Sequence, residues 1–391
     1  LRSLVFSISI GVMISYPAFT LAEETTGTFN LIQTIEAALE ANLSLKQSRE
    51  EVNAALATKK ARTTNFLPTL SARYGYIRRD EPTIQKLVGQ GGQQTNVRIN
   101  PEEEYNFITS FSQPIFTGFA LLNQYKIASL GLDVAEISEK LTRQDVILDA
   151  KNAYFSILKS QKLMAVAEDT VKQVNAQKEV AENMYQVGMS PLNDLLQSQV
   201  QLANDKQRFI TAQNNLEISK SQFNTLLRRP VNAPVAIVDI LDYTPFEHDI
   251  SYCLNQADQN RLELQVADLE VQIADKDYQL SKSDYFPSID LTGNWTRRGT
   301  DWDVDGGEGI ADKKFWDIRA TATWQFWQWG RTRYGVKERL SRLSQAKYRK
   351  DEILDNIELE VKQAFLRTKE SEKNITAVEK AIEQAKENLR I

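Results

Sequence analysis

The stretch from Tyr285 to Trp329 constrains the chain most, because its side chains alternate twice over. From Ser288 to Arg297, Ile289, Leu291, Gly293 and Trp295 alternate with Ser288, Asp290, Thr292, Asn294 and Thr296. From Phe315 to Phe326, Trp316, Ile318, Ala320, Ala322, Trp324 and Phe326 alternate with Asp317, Arg319, Thr321, Thr323 and Gln325. A period of two puts alternate side chains on opposite faces of a strand. Each run is about 10 residues long, which suits a tilted strand crossing a bilayer. Tyr285, Phe286 and Trp295 on one run, and Trp316, Trp324, Trp327 and Trp329 on the other, fall where interfacial girdles stand. An amphipathic hairpin on a soluble core would alternate in the same way, so this stretch alone leaves both readings open.

The pattern recurs earlier in the chain. Leu70, Ala72, Tyr74 and Tyr76 alternate with Ser71, Arg73 and Gly75, and Tyr105, Phe107, Thr109 and Phe111 alternate with Asn106, Ile108, Ser110 and Ser112. Asn65-Phe66-Leu67-Pro68-Thr69-Leu70 aligns with Asp284-Tyr285-Phe286-Pro287-Ser288-Ile289, and Phe116-Thr117-Gly118 with Gln328-Trp329-Gly330. Leu148 to Tyr154 aligns with Leu359 to Phe365. The chain is therefore duplicated, each copy running helix, strand, loop, strand, long helix. The first loop, Arg79 to Glu104, is polar and rich in Gly and Gln and reads as a long exposed loop. The second, Asp301 to Asp312, has acidic residues without the ligand spacing of an EF-hand, and reads as an acidic solvent-exposed loop.

Between these strands the signal is helical. A short helix from Asn30 to about Asn42 and a longer one from Ser44 to Asn65 precede the first strand. After Gly118 the helical pattern hardly breaks until Gly188, about 70 residues or roughly 105 Å. Val146, Ala150, Ala153, Ile157, Met164, Ala167, Val171, Val174, Ala181 and Tyr185 form a coiled-coil seam interrupted by Ser160 and Lys178. Gly188-Met189-Ser190-Pro191 breaks it, with Gly suited to a helix end and Ser-Pro to the next start. Leu195, Leu202, Phe209, Leu216 and Phe223 recur at heptad spacing on the return helix, giving an antiparallel hairpin. After Gly330 a seam resumes, with Leu340, Leu354, Val361, Ile375, Ile382 and Leu389 on one heptad position and Leu343, Ile357, Ala364, Val378 and Ala385 on the other. Ile391 then corresponds to about Val180, so the repeat leads us to expect a C-terminally truncated chain lacking a second turn and return helix of roughly 45 residues.

Residues 1–22 have the form of a secretory leader: Arg2, an apolar run from Leu4 through Ile14, and Thr20-Leu21-Ala22 before Glu23. The net charge of -5 offers no basic surplus for nucleic acid. One cysteine, Cys253, cannot form an internal disulfide, and one histidine, His248, cannot supply a metal cluster; no metal or cofactor is expected. No nucleophile–base pair stands out, so no enzymatic activity is expected. Charged residues at 25% with sparse Gly and Pro favour long helices.

The ordered set of these features resembles the TolC-like outer-membrane efflux proteins. Its carriers are the duplicated Phe-Leu-Pro or Tyr-Phe-Pro before a strand, Gln113-Pro114-Ile115-Phe116-Thr117-Gly118, Ala153-Tyr154-Phe155, and Tyr185 through Leu196 with its Gly188-Met189-Ser190-Pro191 turn. The resemblance implies an α+β fold with internal duplication, in which four transmembrane strands from each protomer join a trimeric barrel of twelve. A long antiparallel coiled-coil helical barrel continues it on the periplasmic side. The expected segments are a leader at 1–22, periplasmic helices at 23–66, a first membrane hairpin at 67–117 and a helical hairpin at 118–227. A linker at 228–250, helices at 251–284, a second membrane hairpin at 285–329 and a long helix at 330–391 complete them.

The implied function is a passive exit duct in the outer membrane of a Gram-negative-type envelope, serving a tripartite efflux or type I secretion system. The implied partners are two further copies, a periplasmic adaptor, an inner-membrane transporter reached indirectly, and outer-membrane lipid. Gly188, Ser190, Pro191, Asp194 and Leu195 match the family's first tip turn, where the adaptor is met. Tyr74, Tyr105, Trp295, Trp316 and Trp324 are the expected girdle. A soluble periplasmic coiled-coil adaptor is the alternative; it would account for the seams but not for two strand pairs with aromatic ends. An envelope hydrolase, the third reading, finds no supporting residues in the sequence.

Overall fold

The computed structural model describes residues 28–88, 92 and 94–390, so the leader lies outside the described residues. The elements are β1 (Thr28–Phe29), α1 (Leu31–Ala41), α2 (Leu43–Thr64), β2 (Thr69–Arg78), β3 (Thr83–Val88), β4 (Gln94–Asn100), β5 (Glu103–Thr117), α3 (Ala120–Gln186), α4 (Leu192–Leu226), β6 (Ala236–Ile237), α5 (Ile250–Asn260), α6 (Leu262–Ser281), β7 (Ser288–Gly299), β8 (Lys314–Thr323) and α7 (Arg331–Arg390). The order helix, strand, strand, long helix occurs twice, as the repeat requires. Local chemistry sets many boundaries. Asn30 and Gln33 cap α1 reciprocally, each side chain accepting from the other's backbone N–H at 2.8 and 3.1 Å. Asn42 accepts from Leu45 N at 3.1 Å and starts α2, and Asp249 accepts from Tyr252 N at 2.8 Å and starts α5.

The described chain forms two compact units. One comprises the residues up to Ala41 together with Asp149–Leu241. Here α3 and α4 run antiparallel, and Leu195, Leu202, Leu216 and Phe223 are buried as the heptad spacing predicts. Phe209 is only half-buried, and the neighbouring seam position is polar: Asp205 is buried, accepting from Gln201 Nε2 at 2.7 Å and Arg208 Nη1 at 3.0 Å. Ser219 Oγ lies 3.0 Å from Ser160 Oγ, so Ser160 is joined across the hairpin by a hydroxyl pair.

On the part of α3 in this unit, from Asp149 on, the buried residues are Ala150, Tyr154, Ile157 and Leu158, whereas the spacing placed Ala153 in the seam. The reason is tertiary. β1 pairs in parallel with β6, and the Tyr154 hydroxyl donates to the Val238 carbonyl at 2.6 Å and lies 3.3 Å from that of Phe29. Tyr154→Phe is expected to leave the Val238 carbonyl unpaired and cost about 1–2 kcal/mol. A lower urea midpoint for the purified protein, with unchanged m, is the check.

The other unit comprises Asn42–Leu148 and the chain from Asp242 onward. Leu264 and Ala267 of α6 and Leu343 and Ile357 of α7 are buried, and Arg339 and Lys350 of α7 bridge Asp277 and Asp268 of α6 at 2.5 and 2.6 Å. Leu340, Ile375, Val378 and Ile382, which the heptads also select, are exposed. His248 stacks on the Tyr252 ring at 4.1 Å, and Cys253 is half-buried. The Phe246 N–H donates to Glu372, and this bond together with Lys369 holds the Glu372 carboxyl below the usual carboxylate range.

Three sequence expectations need correction here. The stretch read as one exposed loop contains the antiparallel hairpin β3–β4. Apolar and polar residues are mixed along it, with Ile84 opposite Arg98, Gln85 opposite Val97 and Leu87 opposite Thr95, so no clean apolar period can be read. The last strand stops at Thr323 rather than Phe326: Thr323 pairs with Ser288, the first residue of β7, and Pro287 before it has no N–H to continue the ladder. The turns into the long helices are also offset by one residue from the sequence alignment. The left-handed pair is Gly118 (φ 61°) and Phe119 (φ 70°) before α3, but Trp329 (φ 52°) and Gly330 (φ 84°) before α7.

Candidate functional site

Two surfaces carry the sequence-predicted residues, one in each unit. The first is a four-stranded antiparallel sheet in the order β2-β5-β7-β8. Its registry sorts the side chains. Across one face run Tyr76–Tyr105, then Tyr74–Phe107–Arg297–Lys314, then Ala72–Thr109–Trp295–Trp316, then Leu70–Phe111–Gly293–Ile318. Across the other run Arg73–Ile108–Thr296–Phe315, Ser71–Ser110–Asn294–Asp317 and Thr69–Ser112–Thr292–Arg319. One face is thus mainly apolar and aromatic, the other mainly polar. β5 is a central strand that nevertheless contains Pro114; the register slips between Pro114 and Phe116, and this bulge accommodates the missing N–H. β2 and β8 are the sheet edges, each paired on one side.

Four of the five girdle residues meet at the loop end of the apolar face. The rings of Tyr74 and Tyr105 are 6.3 Å apart, Tyr76 and Tyr105 4.8 Å, and Phe107 and Trp295 6.2 Å, while Trp316 pairs directly opposite Trp295. Trp324 stands at the helical end, where its indole N–H donates to the Tyr285 carbonyl at 3.2 Å. Trp316 and Trp324 are separated by about 26 Å of extended chain, close to the ~25 Å apolar band of a membrane barrel.

The polar face has order that sequence reading missed. Ser110 Oγ donates to Asn294 Oδ1 at 2.9 Å, and Asn294 Nδ2 donates to Asp317 at 3.2 Å, so one row links β5, β7 and β8. At the loop end, Glu104 is 3% exposed, with Arg298 Nη2 at 2.6 Å from one carboxylate oxygen and Arg79 Nη2 at 2.9 Å from the other. Neither cluster has a local sequence signal, since its members come from different strands. In the second loop, Lys313 and then Arg297 hold the Asp305 carboxyl below the usual range, at 3.3 and 3.2 Å.

The second surface is the turn between α3 and α4. Gly188 has φ 78°; Met189 N donates to the Met184 carbonyl at 2.8 Å and Gly188 N to that of Tyr185 at 3.0 Å. That is a Schellman ending with glycine at the left-handed position. Pro191, with φ -68° and ψ 155°, is the N-cap of α4. Ser190 Oγ donates to Asp194 Oδ2 at 2.7 Å, and Asp194 sits in the first turn of α4, where a carboxylate complements the helix dipole. Leu195 is buried in the hairpin, while Met189 is 81% exposed beside exposed Val187 and Leu192. The five tip residues are thus together, and Met189 and Val187, apolar residues off the seam, join them.

The family profile described as outer membrane efflux protein matches residues 34–227 and 253–391. No curated protein matches the chain. Among solved structures, CusC has a TM-score of 0.72 at 17% identity, over 96% of this chain and 85% of that one. The Vibrio cholerae outer membrane protein VceC has a TM-score of 0.74 at 15% identity, over 91% and 83%. The Campylobacter jejuni CmeC outer membrane channel has a TM-score of 0.68 at 16% identity, over 91% and 76%. At such identity these likenesses concern the fold.

Proposed function

The chain belongs to the outer membrane efflux protein family, and from that membership we propose how copies of it build the channel. It is an outer-membrane exit duct subunit, and the family is one of channel proteins. Members work with periplasmic adaptors in tripartite pumps and form trimers.

The reading is carried by the two-faced sheet with open edges at β2 and β8. Four strands cannot close a barrel, and unpaired backbone groups are not tolerated in lipid. β8 of one protomer therefore pairs with β2 of the next, and threefold symmetry closes the ring with the Trp316 face toward lipid and the Asp317 face toward the lumen. The lumen wall guides cargo without reacting with it, and energy enters through an inner-membrane transporter coupled by the adaptor. Heat-resistant trimers in detergent extracts of outer membranes, with conductance in planar bilayers, are the expected result. A monomer that conducts nothing would overturn it.

At the turn, Gly188, Pro191 and Leu195 set the backbone, and Ser190 and Asp194 with Met189 meet the adaptor. A side chain at Gly188 faces open space but a φ of 78° that L residues rarely adopt, a cost of about 1–2 kcal/mol. Gly188→Leu with Pro191→Leu is expected to weaken adaptor crosslinking while trimer yield stays at the wild-type level. Unchanged crosslinking and export in the double variant would remove the tip from the coupling site.

A further inference from the structure

The junction between β8 and α7 carries a surface that neither the lumen wall nor the tip explains. Beyond Thr323, the side chains of Trp324, Phe326, Trp327 and Trp329 are exposed, Trp329 at 87%. Directly after them, α7 opens with Arg331-Thr332-Arg333-Tyr334-Gly335-Val336-Lys337 and no acidic residue in its first turn. Cations at a helix start oppose its dipole, and Arg333 and Lys337 form a like-charged i,i+4 pair. Both are exposed, and among the described residues no ion pair engages either, whereas Arg339 and Arg342 bridge Asp277 and Glu338.

The helix separates these charges by face. Arg331 lines a cavity with Ser288 and Thr323, which belong to the polar side of the sheet. At about 100° per residue, Arg333 and Lys337 lie about 200° and 240° further round the helix, on the side of α7 away from that cavity. The first copy is built differently. Aligned on the first helical residues, Ala120 and Arg331, it has Gly118 and Leu122 where the second has Trp329 and Arg333, and only Lys126 keeps the charge of Lys337.

We infer that this collar of tryptophans and unpaired cations, present in the second copy alone, seats the headgroups of anionic phospholipids in the leaflet nearest the helices. The inference rests on the outer-membrane reading above. Two features select that occupant. The aromatic surface continues the lipid face of the sheet, and tryptophan favours the headgroup level. The unpaired cations there attract anionic headgroups, each worth about fivefold in affinity.

The test uses the full chain as purified trimer in bilayer discs of equal parts phosphatidylcholine and phosphatidylglycerol, with native mass spectrometry of the lipid retained after extraction. Wild type is expected to enrich phosphatidylglycerol about 25-fold, the product of the two cations. Arg333→Gln with Lys337→Gln, at exposed positions that leave trimer yield unchanged, is expected to bring the ratio close to unity. Lys126→Gln in the first copy should retain the enrichment. Equal enrichment in wild type and the double variant overturns the inference, as it would if a neighbouring copy covered the collar; so does a wild type with no preference. A wild type that never enters the bilayer defeats the outer-membrane reading itself, a distinguishable result.

Discussion

Replacing Ile318 by Arg is expected to abolish trimer assembly, while Thr321→Arg, three residues away on the same strand and on its other face, leaves it near the wild-type yield. Ile318 stands midway along β8, opposite Gly293 on the apolar face, and is exposed in the single chain. An arginine on the lipid face at mid-membrane costs about 2–4 kcal/mol, and threefold symmetry multiplies that to about 6–12 kcal/mol per trimer. Thr321 is opposite Asp290 on the polar face, where a new cation meets water and a carboxylate. The measurement is the fraction of heat-resistant trimer in membrane extracts of the two variants. Equal yields would mean that the faces are assigned the wrong way or that the sheet meets no lipid.

The second large effect is expected at Glu104. Truncating it to Ala removes the shared partner of Arg79 and Arg298, whose side chains are 29% and 31% exposed. Breaking a buried ion pair by removing one member costs about 3–5 kcal/mol; because both arginines retain some water, the lower end, about 3 kcal/mol, is expected. Glu103→Ala next to it changes stability by less than about 1 kcal/mol, since its contacts with Arg78 and Tyr76 are exposed. Urea-gradient loss of the folded trimer separates the two, and equal midpoints would mean that Glu104 does not lock the loop end of the sheet. The double variant with Arg298→Ala should cost less than the sum of the single losses, because the second change removes an already unpaired charge.

Much of the architecture was legible in the chain because its signals are local. The period of two in β2, β5, β7 and β8 records which side chains share the apolar face and which the polar one, a sorting each strand performs by itself. The long uninterrupted helical pattern gave α3 nearly to the residue, and Gly188 followed by Pro191 marked its end, because a left-handed position and a helix start each demand particular residue types. The resemblance to the efflux family rested on these same local marks in a fixed order.

What lay between elements was not legible. Nothing local to β5 says that its second neighbour is β7, that the register slips at Pro114, or that Ser110, Asn294 and Asp317 fall in one row. Tyr154 displaced Ala153 from the expected seam only because the short β1–β6 pair lies over it. β8 stopped at Thr323 because its partner begins at Ser288, a limit written in another strand. The sequence by itself determined the kind of each main element and the faces of its strands, through steric preference and the contrast between apolar and polar side chains along one element. Only the tertiary structure decided partners, register and the buried polar clusters, because those depend on pairing free energies between residues far apart in the chain.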